Sequence, residues 1–200
     1  MPLASTSPGR RERNKQEKLD RITAAASELF TERGVDEVTT QEIADKADIG
    51  AGTLFLYAKS KAELLLLVQN STYADALARG RSAAEGITGT LDAVMAIVRP
   101  VVECNRKHVG NGRTYLREIV FGDPAEPHHR DALDLTVQTE DAIAAVLRRD
   151  GLAGAKDAAA RAHIVSAIMF ISMAATINSA HPVDDVVQEI RDQVRVLLPE

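Results

Sequence analysis

An all-α fold is what this sequence predicts, and three observations predict it. Aromatic residues make up only 4% of the 200 and Trp is absent, so the side chains that favour strands are scarce. Ala and Leu fill long runs, with Gly and Pro gathered between them. Within the runs, apolar residues recur every three or four positions rather than alternating. Hydrophobic (45%) and charged (26%) shares are those of a globular chain, which excludes disorder throughout. No stretch reads as the roughly 18 uncharged apolar residues of a membrane span. Cys104 is the sole cysteine and the first fifteen residues lack an apolar signal core, so a reducing, cytoplasmic setting is expected.

The first helix is expected over about residues 15–33, because Ile22, Ala26, Leu29 and Phe30 share one face before Gly34. Next, Thr39-Thr40-Gln41-Glu42 sets a hydroxyl at an N-cap and a carboxylate three positions on, flanked by Val38 and Ile43 as a hydrophobic staple. A helix therefore starts at Thr40 and runs to about Ala47. Asp48-Ile49-Gly50-Ala51-Gly52 supplies a turn, and Thr53 to Tyr57 resumes a helical pattern for barely two turns. Ser60-Lys61-Ala62-Glu63 is a second capping box, opening the apolar run Leu64 to Val68. Two short helices about a Gly-containing turn, with Ile43, Ala44, Ala47, Ile49 and Leu54 inward, have the layout of a helix-turn-helix. Lys61 opens its helix where the macrodipole disfavours a cation. It is either an exposed lysine at small cost or a partner for a docked phosphate.

The net charge of −5 conceals an asymmetry, since residues 10–18 carry five basic and two acidic groups. Such an arm is a solvated tail unless an element that reads nucleic acid follows it.

The run from Lys15 to Leu67 resembles the N-terminal DNA-binding domain of the TetR family of transcriptional repressors. The likeness rests on F-x-x-x-G (Phe30 to Gly34), V-x-x-V-T-T-x-x-I-A (Val35 to Ala44), A-x-I-x-x-G-T-L-F (Ala47 to Phe55) and K-S-K-x-E-L (Lys59 to Leu64). It covers about a quarter of the chain. The resemblance implies a flexible basic arm over 1–14, a three-helix DNA-binding domain over 15–60, and a helical effector-binding and dimerisation domain over 61–200. Thr40 and Lys61 would contact phosphate, and Gln41 has the geometry to pair bidentately with adenine. Ala51, Gly52, Thr53, Phe55 and Tyr57 fall on or just before the recognition helix. Arg10, Arg11 and Arg13 would neutralise backbone or enter a minor groove. The chain departs from the family pattern at Phe55, where Tyr is frequent, and at Tyr57-Ala58, where His-Phe is common. Phe55 either reaches DNA or packs inside, and direct readout looks sparse.

Beyond Lys61, helices are expected over 61–80, 88–108 with a kink at Pro100, 112–121, 127–149 closed by Gly151, 155–179 and 183–198. The run Ile164 to Ala175 is apolar nearly all round, which calls for cover on several sides. Val183, Val186, Val187, Ile190, Val194 and Leu197 form a stripe on the last helix. Both suit the resemblance, which implies a homodimer through the last two helices, bound to palindromic double-stranded DNA. The resemblance also implies an effector pocket; Met95, Val98, Val102, Tyr115, Ile119, Met169 and Met173 are the candidates to line it, for a mainly apolar small molecule. Cys104 and His108 share a helix face but do not complete a metal site, and adjacent His128 and His129 diverge about a helix start. No nucleophile elbow, phosphate loop or HExxH occurs, so neither an enzyme nor a cofactor is implied. The expected function is a dimeric, effector-released repressor. The alternative is a helical small-molecule-binding or adaptor protein with only nonspecific DNA affinity.

Overall fold

A computed structural model describes residues 9–149, 151 and 154–198. Among these, nine α-helices and one 3-10 turn form two units, which part inside the fourth helix between Val68 and Gln69.

The first unit holds α1 (Arg10–Arg33), α2 (Thr40–Lys46), α3 (Ala51–Leu54) and the opening turns of α4 (Lys61–Glu85). Its core is made of Ile22, Ala26, Phe30, Ile43, Leu54 and Leu64, all fully buried. The helix expected from residue 15 begins five residues earlier. Gly9 caps it by accepting the Glu12 and Arg13 N–H groups, so Arg10, Arg11 and Arg13, expected in the arm, lie in the first turns of α1. Apolar periodicity misses these turns because every side chain from Arg10 to Lys18 is exposed. Residues 1–8 of the expected arm lie outside the described residues. The turn between α2 and α3 is reached through Asp48 at φ 54°, and it leaves Ile49 half-buried rather than fully inward.

The second unit contains the rest of α4, α5 (Thr90–Asn105), α6 (Val109–Phe121), α7 (Pro127–Arg149), α8 (Ala155–Ala174), the 3-10 turn Thr176–Asn178 and α9 (Val183–Leu197). Gly80 does not end α4. It marks a close crossing with α5, where an added Cβ would lie 2.9 Å from the Ala96 carbonyl oxygen and the Ile97 Cα. Pro100, inside α5, has no N–H to offer that same Ala96 carbonyl four residues back.

The helix expected to 179 stops at Ala174, because Ala175 turns to ψ 133°. Two arginines hold the corner that follows. Arg106 donates through Nη2 to the carbonyls of Asn178 and His181, both at 2.8 Å, and Arg113 donates to the Ala174 carbonyl at 3.0 Å and the Thr176 hydroxyl at 2.9 Å. By length and composition α8 is apolar enough to cross a membrane, contrary to the sequence expectation, yet here it packs on α6, α7 and α9.

The stripe on α9 is spent inside the chain: Val186, Val187, Ile190 and Val194 are buried where α9 packs on α5 and α8. Val183 and Leu197 of the same stripe are half-buried, and Ile164 and Ile171 on the outward face of α8 are 44% and 70% exposed.

Candidate nucleic-acid interface

Local chemistry fixes the start of α2. The Thr39 hydroxyl oxygen accepts the Glu42 N–H at 3.2 Å, and Glu42 Oε2 accepts both the Thr39 N–H and the Thr39 hydroxyl at 2.8 Å. Arg33, from the end of α1, donates to the other Glu42 oxygen at 2.9 Å. Donation from the Thr39 backbone, then its hydroxyl, then Arg33 holds the Glu42 carboxyl down at about 2. Thr40 is thereby set half-buried in the first turn with Gln41 exposed beside it. The Gln41 amide donates to Asp45 at 2.7 Å, so bidentate pairing with adenine requires that bond to be exchanged.

The short α3 continues as a hydrogen-bonded turn through Ala58, whose N–H reaches the Leu54 carbonyl at 3.2 Å. Leu54 and Ala58 point inward and are buried. The opposite face, at i, i+3 and i+4, is Gly52, Phe55 and Leu56. A Cβ added at Gly52 would meet nothing within 4 Å, and Phe55 and Leu56 are 46% and 83% exposed. Phe55 is therefore not part of the core. Ala51 and Thr53 are half-buried at the edge of this face. Tyr57 is turned towards α1, its hydroxyl 3.5 Å from the Lys15 carbonyl oxygen.

Lys61 begins α4 as expected, with the Ser60 hydroxyl oxygen accepting the Glu63 N–H at 3.1 Å. Its ammonium donates to the Asp36 carbonyl at 3.2 Å. A lysine carries three such hydrogens, so this bond orients the cation without exhausting it. The unit thus brings Thr40, Gln41, Ala51, Gly52, Thr53, Phe55 and Lys61 onto α2, α3 and the start of α4. The exposed arginines at positions 10, 11 and 13 stand at the beginning of α1, and Tyr57 braces α3 from behind. Leu56, exposed on the same face, is a residue that sequence reasoning passed over; its signal was its spacing of four from Gly52.

The seven candidate effector residues share a different fate. Met95, Val98, Val102, Tyr115, Ile119, Met169 and Met173 are all buried, on the mutually packed helices α5, α6 and α8. A cleft of about 280 Å³ lies elsewhere in that unit, with Ile97, Ala142 and Val146 in its lining and Arg81, Glu85 and Arg149 among its polar members. Sequence reasoning also missed a buried polar cluster in the same unit, apart from that cleft. The Tyr115 hydroxyl donates to Asn70 at 2.9 Å, the Asn70 amide donates to the His128 carbonyl at 2.8 Å, and the Tyr73 and Thr139 hydroxyls lie 3.1 Å apart. Burial pushes Tyr73 up to about 12 and raises Tyr115 well above the ordinary tyrosine range. His129 stands at the start of α7 as expected, but it is buried there with neither ring nitrogen hydrogen-bonded. His108 caps α6 by accepting the Asn111 N–H at its Nδ1, and no cluster of three metal-ligating side chains occurs among the described residues.

A capped helix-turn-helix carried on a long first helix and followed by a larger helical unit defines a DNA-binding transcriptional regulator. Residues 22–68 match the model of the bacterial regulatory proteins of the tetR family. Among solved structures, FadR of Thermus thermophilus, a TetR-family transcriptional repressor in complex with lauroyl-CoA, is 25% identical, with a TM-score of 0.72 over 90% of this chain and 92% of that one. A TetR transcriptional regulator from Rhodococcus sp. RHA1 is 19% identical (TM-score 0.67, 92% and 97% covered). The fatty acid degradation regulator FadR of Bacillus halodurans is 14% identical (TM-score 0.64, 94% and 96% covered). No curated protein matches the chain. Residues 22–68 are thus a DNA-binding region of the tetR type in a chain with the fold of TetR-family regulators, and these matches support a DNA-binding transcriptional regulator.

Proposed function

We propose that the protein is a dimeric, non-enzymatic cytoplasmic repressor that binds a palindromic operator and is released from it by a small, mainly apolar effector. The observation that carries this reading is the N-terminal unit. A doubly satisfied capping box presents α2, and the face of α3 that its own core does not use is open to a groove. In the dimer, two such units engage half-sites about 34–36 Å apart, one turn of DNA. Support for a second copy comes from Ile164 and Ile171, which stand exposed on α8. Val186, Val187, Ile190 and Val194 brace α9 from within, so α9 contributes its outer residues, such as exposed Val196, at the edge of that contact. The lauroyl-CoA bound to the Thermus FadR favours an effector with a long apolar chain. Such a ligand shifts the DNA-binding equilibrium only by its differential affinity for the free and DNA-bound states.

The test is selection of fragmented genomic DNA by the full-length protein, followed by titration of the recovered fragments at two salt concentrations. Recovery of a palindrome bound by a dimer, with affinity falling when an acyl-CoA is added, is the expected result. Unrelated fragments that leave with modest salt would overturn the repressor reading in favour of a helical small-molecule-binding or adaptor protein with only electrostatic attraction to DNA.

A further inference from the structure

The outward face of the recognition helix is apolar. Gly52, Phe55 and Leu56 occupy it at i, i+3 and i+4, and Leu56 at 83% exposure touches little of its own chain. A leucine so placed keeps apolar surface in water that burial against an apolar partner would remove. The polar groups that flank it are already engaged: Gln41 with Asp45, Tyr57 with the Lys15 carbonyl, and Lys61 with the Asp36 carbonyl. Hydrogen-bond readout by α3 itself is confined to Thr53. In the major groove one base-edge feature is apolar, the C5-methyl of thymine, and aliphatic and aromatic side chains are its partners. The open space over Gly52 admits such a methyl close to the backbone, with no atom within 4 Å of the position a Cβ would take. Lys61 and the cationic first turns of α1 supply phosphate attraction that carries no sequence information. The face is continuous with the helix-turn-helix that contacts DNA, which commits its occupant to the floor of a major groove.

We propose that Leu56 and Phe55 determine operator specificity by packing against thymine methyl groups, with Gly52 leaving room for the base edge. This rests on the reading of the chain as a sequence-specific operator binder. It assigns base discrimination on α3 to apolar contact rather than to hydrogen bonds.

The experiment selects full-length protein against two random duplex libraries, one containing thymine and the other uracil at every thymine position. Uracil keeps all pairing and groove hydrogen-bonding groups and lacks only the methyl. Wild-type protein is expected to enrich a motif with fixed thymines from the first library. The uracil version of that motif should bind about three- to fivefold more weakly for each methyl removed. Leu56→Ala, at an exposed position that spares the fold, should weaken binding to the thymine motif about fivefold and reduce the difference between thymine and uracil to the part that Phe55 supplies. Equal affinity for both versions, or a motif without fixed thymines, would overturn the inference while leaving operator binding intact. Failure to enrich any motif from either library would overturn sequence-specific binding itself, and the inference with it. The uracil comparison uses wild-type protein, so its outcome does not depend on how any variant folds.

Discussion

The Glu42 carboxylate takes two hydrogen bonds from Thr39, one from its backbone N–H and one from its hydroxyl, each at 2.8 Å. Two residues three apart thus close the loop that leads into α2. The sequence placed them there, and the structure adds Arg33 from α1 as a third member.

Acid should loosen this end of the reading unit in a defined window. Glu42 is depressed in the folded state, so its contribution is complete above the ordinary carboxylate value of 4.5 and is lost as pH falls towards about 2. Urea unfolding from pH 6 to pH 2 should be shallower in its pH dependence for Glu42→Gln than for the wild type. Thr39→Ala removes the cap itself and should cost about 1 kcal/mol at neutral pH.

Alkali acts on the other unit through Tyr73. Its phenol is raised by burial, so the neutral form stabilises the fold fully below pH 10, and that contribution disappears as pH rises through about 12. Denaturant midpoints measured from pH 8 to pH 12 should decline less steeply in Tyr73→Phe, which has no proton to lose. Absorbance titration should show the Tyr73 and Tyr115 phenolates forming late.

Substitutions at the DNA face should separate two kinds of loss. Lys61→Ala tests the proposed phosphate contact; it should weaken all sequences alike and reduce the slope of log affinity against log salt by about 1. Gln41→Ala should instead relax preference at a single base pair, at a cost of about 1–3 kcal/mol for the favoured base. Identical salt slopes for Lys61→Ala and the wild type would remove Lys61 from the interface.

Ile171→Glu tests the proposed dimer. The side chain is 70% exposed in the single chain, so the variant should keep its helix content. Sedimentation should report a monomer, and affinity for a two-half-site operator should fall at least tenfold, because each half is then bound independently.

What the sequence made legible was local. The α2 cap, the α4 start at Lys61 and the inward residues Ile43, Ala44 and Leu54 all follow from groups within four positions of one another. The end of α8 does not: no Gly or Pro stands between Met173 and Pro182, and the break at Ala175 comes with carbonyls captured by Arg106 and Arg113, more than 60 positions away in the chain. Periodicity likewise marked Val186, Val187, Ile190 and Val194 for burial without saying against what, and α5 and α8 of the same chain take them. For Leu56, spacing placed the side chain outward while its chemical type suggested the interior. The seven apolar candidates for an effector pocket carried too little signal to distinguish lining from filling.

The corner after α8 has a chemical character of its own. Guanidinium groups bound to carbonyl and hydroxyl oxygens have no acidic counterpart to protonate. Lowering the pH, which strips Glu42 of its charge, therefore leaves the strap from Arg106 and Arg113 to residues 174–181 unaltered. Of the contacts at the joint between α8 and α9, these arginine bonds persist in acid, whereas the bond from the Asn178 amide to the Glu189 carboxylate is the one that acid can reach.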